Sequence, residues 1–233
     1  MGGIPTNALG EVQNWQQGLV SGLFAVGECA AASFHGFNRL GTNSLLELIT
    51  MGKIAGGRVI EALGDDLVES PEDAGERTFL LFSRLMGAKG KKNLGKIREE
   101  MRSLMTEKVG VFRTEDRLRE AIEELKELKE RADNASLASK SFKMNQDLIQ
   151  RWELDNLLDV SMVTAQGALN RRESRGGHFR DDFPERNDQF NYHTLAYMKE
   201  FEEVELGERP VDMSVYDAKG EHYEKFGMIE RKY

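Results

Sequence analysis

One short stretch carries residue types at a spacing suited to chemistry. Glu28 follows the apolar run Gly22-Leu23-Phe24-Ala25-Val26-Gly27, and Arg39 stands in the next loop, between Gly36 and Gly41. Ser44 and Leu45 then open an apolar segment, with Ser44 and Glu47 in capping-box spacing. The order is a buried, parallel strand, an acid at its carboxyl end, a glycine-bearing loop and a capped helix. Ligands of open α/β sheets bind outside the carboxyl ends of strands, often against a helix N-terminus. A carboxylate at Glu28 accepts hydrogen bonds from a ribose hydroxyl. The Arg39 guanidinium clamps a carboxylate through two parallel bonds. The helix start at Ser44-Leu45 offers N–H groups to an anion or a developing negative charge. Singly, each has an ordinary reading: a strand-end acid, a surface cation, a cap. Together, at this spacing, they read as a site.

The elements that position these residues differ along the chain. Twelve of the 23 glycines lie in the first 64 residues, which reads as loop-and-strand architecture. A helix runs from the Ser44 cap to about Leu63, with apolar residues almost all round, and is expected to be buried on more than one side. Ser70-Pro71-Glu72 then starts a helix that runs to Met86. Further helices are expected from about Asn93 to Lys108, from Thr114, and from about Asn145 to Asn170. Leu118, Ile122, Leu125 and Leu128 give the Thr114 helix a narrow apolar stripe, and its charged remainder reads as a solvated face. The fold class is α+β, a fragment of an α/β domain followed by a bundle of three to four helices and an irregular C-terminal tail. Its expected divisions are residues 1–67, 68–171 and 172–233. The tail shows weak strand signals near Val211 to Tyr216 and no clear core of its own.

Composition narrows the partners. Its 32 basic and 40 acidic side chains give a net charge of −8, which argues against nucleic-acid binding. The single cysteine, Cys29, excludes an internal disulfide and a thiolate-rich zinc site, and no metal is expected. The longest apolar candidate, Gly18 to Phe34, carries Glu28 and falls short of a bilayer span. No signal peptide is visible at the start, and the chain reads as soluble.

Met1-Gly-Gly-Ile-Pro-Thr-Asn7, Gly22 to Glu28 and His35 to Glu47 closely resemble the flavoprotein subunit of succinate dehydrogenase and fumarate reductase. Arg172 to Asp188, His193-Thr-Leu and the terminal Glu230-Arg-Lys-Tyr233 resemble the same subunit's C-terminal region. L-aspartate oxidase has a similar loop, but its usual pattern lacks the Leu40-Gly41 pair and the Met-Gly-Gly-Ile entry, so it ranks second. Phe37 stands where Ala is the commoner choice. The resemblance implies a fragment of an FAD-binding domain at residues 1–67, with Glu28, Ser44 and Leu45 binding FAD and Arg39 holding a carboxylate of succinate or fumarate. His35 and Asn38 shape the loop rather than touch substrate, while Arg175 and His178 either support the flavin site from the C-terminal region or, the favoured reading, pack between bundle and flavin domain. No residue of this chain is assigned to proton transfer.

No Gly-x-Gly-x-x-Gly occurs in the sequence. The resemblance places that turn, the histidine that attaches FAD, the capping domain and the proton-shuttling arginine in a preceding half. Met1 is then expected to be an internal methionine of a longer subunit, and this chain alone to be inactive. The helix from Ser44 to about Leu63, enclosed by the flavin-domain sheet in the family, is expected to leave Leu45, Leu46, Leu48, Ile49, Met51 and Ile54 partly exposed here. Implied partners are the remaining N-terminal part of the flavoprotein, an iron–sulfur subunit, a dicarboxylate and, only indirectly, a membrane anchor. The implied location is cytoplasmic, peripheral to the inner membrane. The competing reading is a non-catalytic helical interaction module that keeps remnants of the motif.

Overall fold

The structure, a computed structural model, describes residues 2–63, 71–90 and 93–212. Five helices form its main mass: α1 (Asn43–Ala62), α2 (Ala74–Gly87), α3 (Leu94–Lys108), α4 (Glu115–Asp133) and α5 (Gln146–Asn170). Three of them begin where a short polar side chain can satisfy an orphan amide. Asn93 accepts from Lys96 N at 3.0 Å, Thr114 from Arg117 N at 3.3 Å and Asn145 from Leu148 N at 3.0 Å. The expected Ser70-Pro71-Glu72 start is displaced. Ser70 lies outside the described residues, Pro71 O accepts from Ala74 N in a turn, and α2 begins at Ala74.

The apolar stripes of α3, α4 and α5 close on one another. Ile97, Leu118, Leu125, Leu158 and Met162 are fully buried in this cluster, with Met101, Leu104, Leu128 and Leu154 beside them. Burying each such side chain contributes about 2 kcal/mol. A second cluster joins α2 to α5 through Leu85, Leu137 and Leu148. The charged face of α4 is solvated, as expected, and carries i,i+3 and i,i+4 pairs such as Arg119–Glu115 and Lys126–Glu123.

Eight short strands form four two-stranded ladders among the described residues. β1 (Ile4–Pro5) lies parallel to β4 (Ala30–Ala31), and β2 (Glu11–Gln13) antiparallel to β3 (Leu19–Phe24). The run from Gly22 to Gly27 is therefore not a buried parallel strand. It enters an antiparallel ladder with one neighbour, and without a covering layer Leu19 and Leu23 stay about half exposed. α1 lies open for the same reason, as expected of a helix whose enclosing sheet is missing. Only Glu47 and Ala55 are buried along it, and Leu45, Leu46, Ile49 and Ile60 are exposed.

β5 (Phe112–Arg113) pairs with β6 (Phe179–Arg180), which ties the turn after α5 to the entry of α4. The C-terminal region is more regular than the expected tail, because β7 (Tyr192–Glu200) and β8 (Glu203–Pro210) form an antiparallel hairpin. Its many glutamates, with Lys199 and Arg209, hide the strand pattern, yet Met198, Phe201 and Val204 pack on the helical core. Val211 N donates to Asn191 O, and most of the expected Val211 to Tyr216 strand lies outside the described residues.

Candidate functional site

Three of the four expected site residues meet at the start of α1. Glu28 sits in a single 3-10 turn, Gly27–Cys29, where Gly27 has φ +78° and a Cβ would overlap Leu48 of α1. The turn therefore rests against the helix, and its left-handed backbone favours glycine there. Arg39 Nη1 donates to Ser44 Oγ at 2.9 Å and lies 3.7 Å from a Glu28 carboxylate oxygen. Leu45 stands next to them, 65% exposed.

The expected capping box does not form. α1 begins one residue before Ser44, and Thr42, at φ 67°, holds the cap position without a side-chain bond. Ser44 Oγ accepts from Arg39 instead. Glu47 is buried and bonds His35 Nε2 at 2.9 Å, so it cannot reach back to the helix start. That contact closes the loop from His35 to Glu47, as expected of a loop-shaping histidine. No side chain caps the first turn of α1, where Asn43 N and Leu45 N donate to the Leu40 and Thr42 carbonyls. Among the described residues Nη1 alone of Arg39 is engaged, which leaves Nε and Nη2, a parallel donor pair. Glu28 and Arg39 remain exposed enough to meet a ligand, at 80% and 37% of their side chains.

Behind the loop lies a buried ionic network. Glu173, with no exposure, binds Arg171 at 2.6 Å and Arg175 at 2.9 Å. Arg180, also without exposure, pairs with Asp182, whose carboxyl is held down to about 2 chiefly by hydrogen bonds from that arginine. His178 is buried between Arg113 and the Arg171 carbonyl; burial first, then the Arg113 charge, pushes its pKa down to about 4. His178 and Arg175 therefore pack the interior between bundle and loop. Sequence reading passed over Arg171, Glu173 and Arg180, although a signal was present: an arginine two residues from an acid at Arg171–Glu173, Arg180–Asp182 and Arg186–Asp188.

Residues 98–233 match the family model of the fumarate reductase flavoprotein C-terminal region, and residues 1–45 match that of an FAD binding domain. The chain belongs to the fumarate reductase flavoprotein family. Within that family it is 39% identical over 230 residues to the mitochondrial succinate dehydrogenase flavoprotein subunit of Oryza sativa subsp. japonica, covering 96% of this chain and 36% of the relative. It is 40% identical over 220 residues to the corresponding subunit of Coxiella burnetii, covering 91% and 37%. Among solved structures, an E. coli quinol fumarate reductase superposes with a TM-score of 0.82 at 34% identity, covering 90% of this chain and 36% of that one. The chain spans about a third of the length of these family members. Among the described residues, no helix is long and apolar enough to cross a membrane.

Proposed function

We propose that this chain supplies the dicarboxylate clamp and one edge of the flavin site in a succinate- or fumarate-converting flavoprotein. In this reading residues 1–67 belong to the flavin domain, 68–171 form the bundle and 172–233 pack on both. The observation that carries it is the Arg39–Ser44–Glu28 cluster at the uncapped start of α1. The residues present fit FAD at that edge. An uncapped first turn favours negative charge, exposed Leu45 offers an apolar contact, and the exposed Glu28 carboxylate accepts from a sugar or ribityl hydroxyl. FAD, when bound, supplies the hydride acceptor or donor.

The chain's own residues bind and orient. Arg39 presents Nε and Nη2 to one carboxylate of the substrate, and Ser44 Oγ fixes the third nitrogen so that the guanidinium plane does not swing. Holding a dicarboxylate in one pose lowers the entropic part of the barrier. Electrons then pass to an iron–sulfur subunit, with the flavoprotein peripheral to the membrane, as the family's resemblance implies.

The test is Arg39→Lys in the subunit assembled with its flavin-bearing portion. Lysine keeps the charge and loses the planar two-point contact. Loss of about 3 kcal/mol is expected, a fall of at least about 100-fold in turnover, with flavin content unchanged. Near-normal succinate–fumarate activity removes Arg39 from the site.

A further inference from the structure

The geometry points to Gly176, Phe37 and Arg171 as positioning residues: the arginine-rich turn after α5 sets where Arg39 stands without itself touching the substrate. This rests on Arg39 being the carboxylate ligand. Phe37 precedes Arg39 by two residues, and its carbonyl accepts from Gly177 N at 3.1 Å. Gly176, at φ +58°, lies so close that a Cβ would stand 2.8 Å from Phe37 Cβ, 3.1 Å from its carbonyl carbon and 3.4 Å from Asn38 N. Two of these three atoms are backbone, so a side chain at Gly176 displaces the loop rather than a flexible tip.

Arg171 supports the same residue from the side. Its guanidinium lies 4.7 Å from the Phe37 ring centre, within cation–π range. The cation itself is committed elsewhere. Nη1 donates to Glu173 at 2.6 Å and to Phe190 O at 2.8 Å, and Nη2 to Tyr192 O at 2.6 Å and Thr194 Oγ1 at 3.3 Å. At 2% exposure it is a fixed post, not a ligand.

The loop is pinned at its other end as well. Ser33, strained at φ 63°, has its hydroxyl 2.9 Å from His193 Nε2 of β7 and 3.5 Å from Arg209 Nη2 of β8. A non-glycine residue in this conformation persists only where its surroundings enforce it. With Ser33 and Phe37 held by the C-terminal region, the Arg39 backbone inherits its position from residues far along the chain. Misplacing a substrate-orienting group by about 1 Å costs up to about 100-fold.

The test uses malonate, a dicarboxylate with no CH2–CH2 bond to oxidise, and the subunit assembled with its flavin-bearing portion. Gly176→Ala is expected to weaken malonate binding at least tenfold and to lower kcat/KM for succinate by a similar factor. Flavin content and flavin reduction by dithionite, which needs no clamp, stay unchanged. Phe37→Gly removes the nearest of the three contacts and leaves the two backbone ones, so the double variant should lose less malonate affinity than the two single losses added together. Wild-type malonate binding in Gly176→Ala, or losses that simply add in the double variant, overturns the inference. Phe37→Leu decides the case if Gly176→Ala does not assemble: it should raise the malonate Kd several-fold at unchanged Tm, and an unaltered Kd overturns the inference too. Normal malonate binding in Arg39→Lys would instead overturn the clamp itself, which separates the two failures.

Discussion

Lowering the pH from 7 to 5 should cost this chain about 2 kcal/mol through one residue, His178. Its ring is 3% exposed, and both nitrogens have settled roles. Nδ1 faces Arg113 Nη1, which can only donate, and Nε2 lies 3.1 Å from the Arg171 carbonyl, which can only accept. The ring is therefore neutral, with its proton on Nε2. A second proton would set Nδ1–H against a guanidinium, in a site also faced by the Arg171 and Arg180 charges. Burial first, and those cations with it, lower the pKa from 6.5 to about 4. The unfolded chain takes up this proton near pH 6.5 and the folded chain only near pH 4. Between those values the unfolded state binds more protons, so stability falls as the pH falls. The contribution is fully present above pH 6.5; its complete loss, near pH 4, amounts to about 3 kcal/mol, and about 2 of that is gone by pH 5. An NMR titration should show the His178 ring signal unmoved down to about pH 5. His178→Gln keeps a donor and an acceptor but does not titrate. Its unfolding free energy in urea should drop less between pH 7 and 5 than that of the wild type, by about 2 kcal/mol. A His178 signal titrating at its ordinary value, or equal pH slopes in the two proteins, refutes the reasoning.

Other parts of the fold give independent checks. Glu173→Ala leaves Arg171 buried without its carboxylate and should destabilise the chain by about 3–5 kcal/mol in urea unfolding; a loss below about 1 kcal/mol would mean that water reaches the turn. Leu125→Ala, at a fully buried position of α4, should lower stability by about 2–5 kcal/mol, and a small change would show that the three-helix core collapses around the gap. Amide hydrogen exchange of this chain alone should be slower in α4 than in α1, because α1 buries only two side chains. Equal protection in the two helices would show a further partner covering α1.

Much of this molecule is set by local rules that a sequence displays. Asn93, Thr114 and Asn145 mark helix starts because a short polar side chain reaches the third amide of a helix whatever lies around it. The stripe from Leu118 to Leu128 marks its own buried face because helical periodicity alone places those residues together. The Glu28, Arg39 and Ser44 grouping was legible for a related reason, since strand, loop and helix follow directly in the chain and bring them within 4 Å. Other features depend on contacts between distant segments. Whether Ser44 caps α1 or holds Arg39 was decided by His35 drawing Glu47 away and by Thr42 taking the cap position. The burial expected of Leu45 and Ile49 needs a covering layer, and no described residues provide one. The hairpin of β7 and β8 is masked by its charges and becomes regular only where Met198, Phe201 and Val204 find the helical core. The meeting of Gly176 with Phe37 spans most of the chain, and no local pattern can announce a glycine whose missing side chain makes room for a loop more than a hundred residues away.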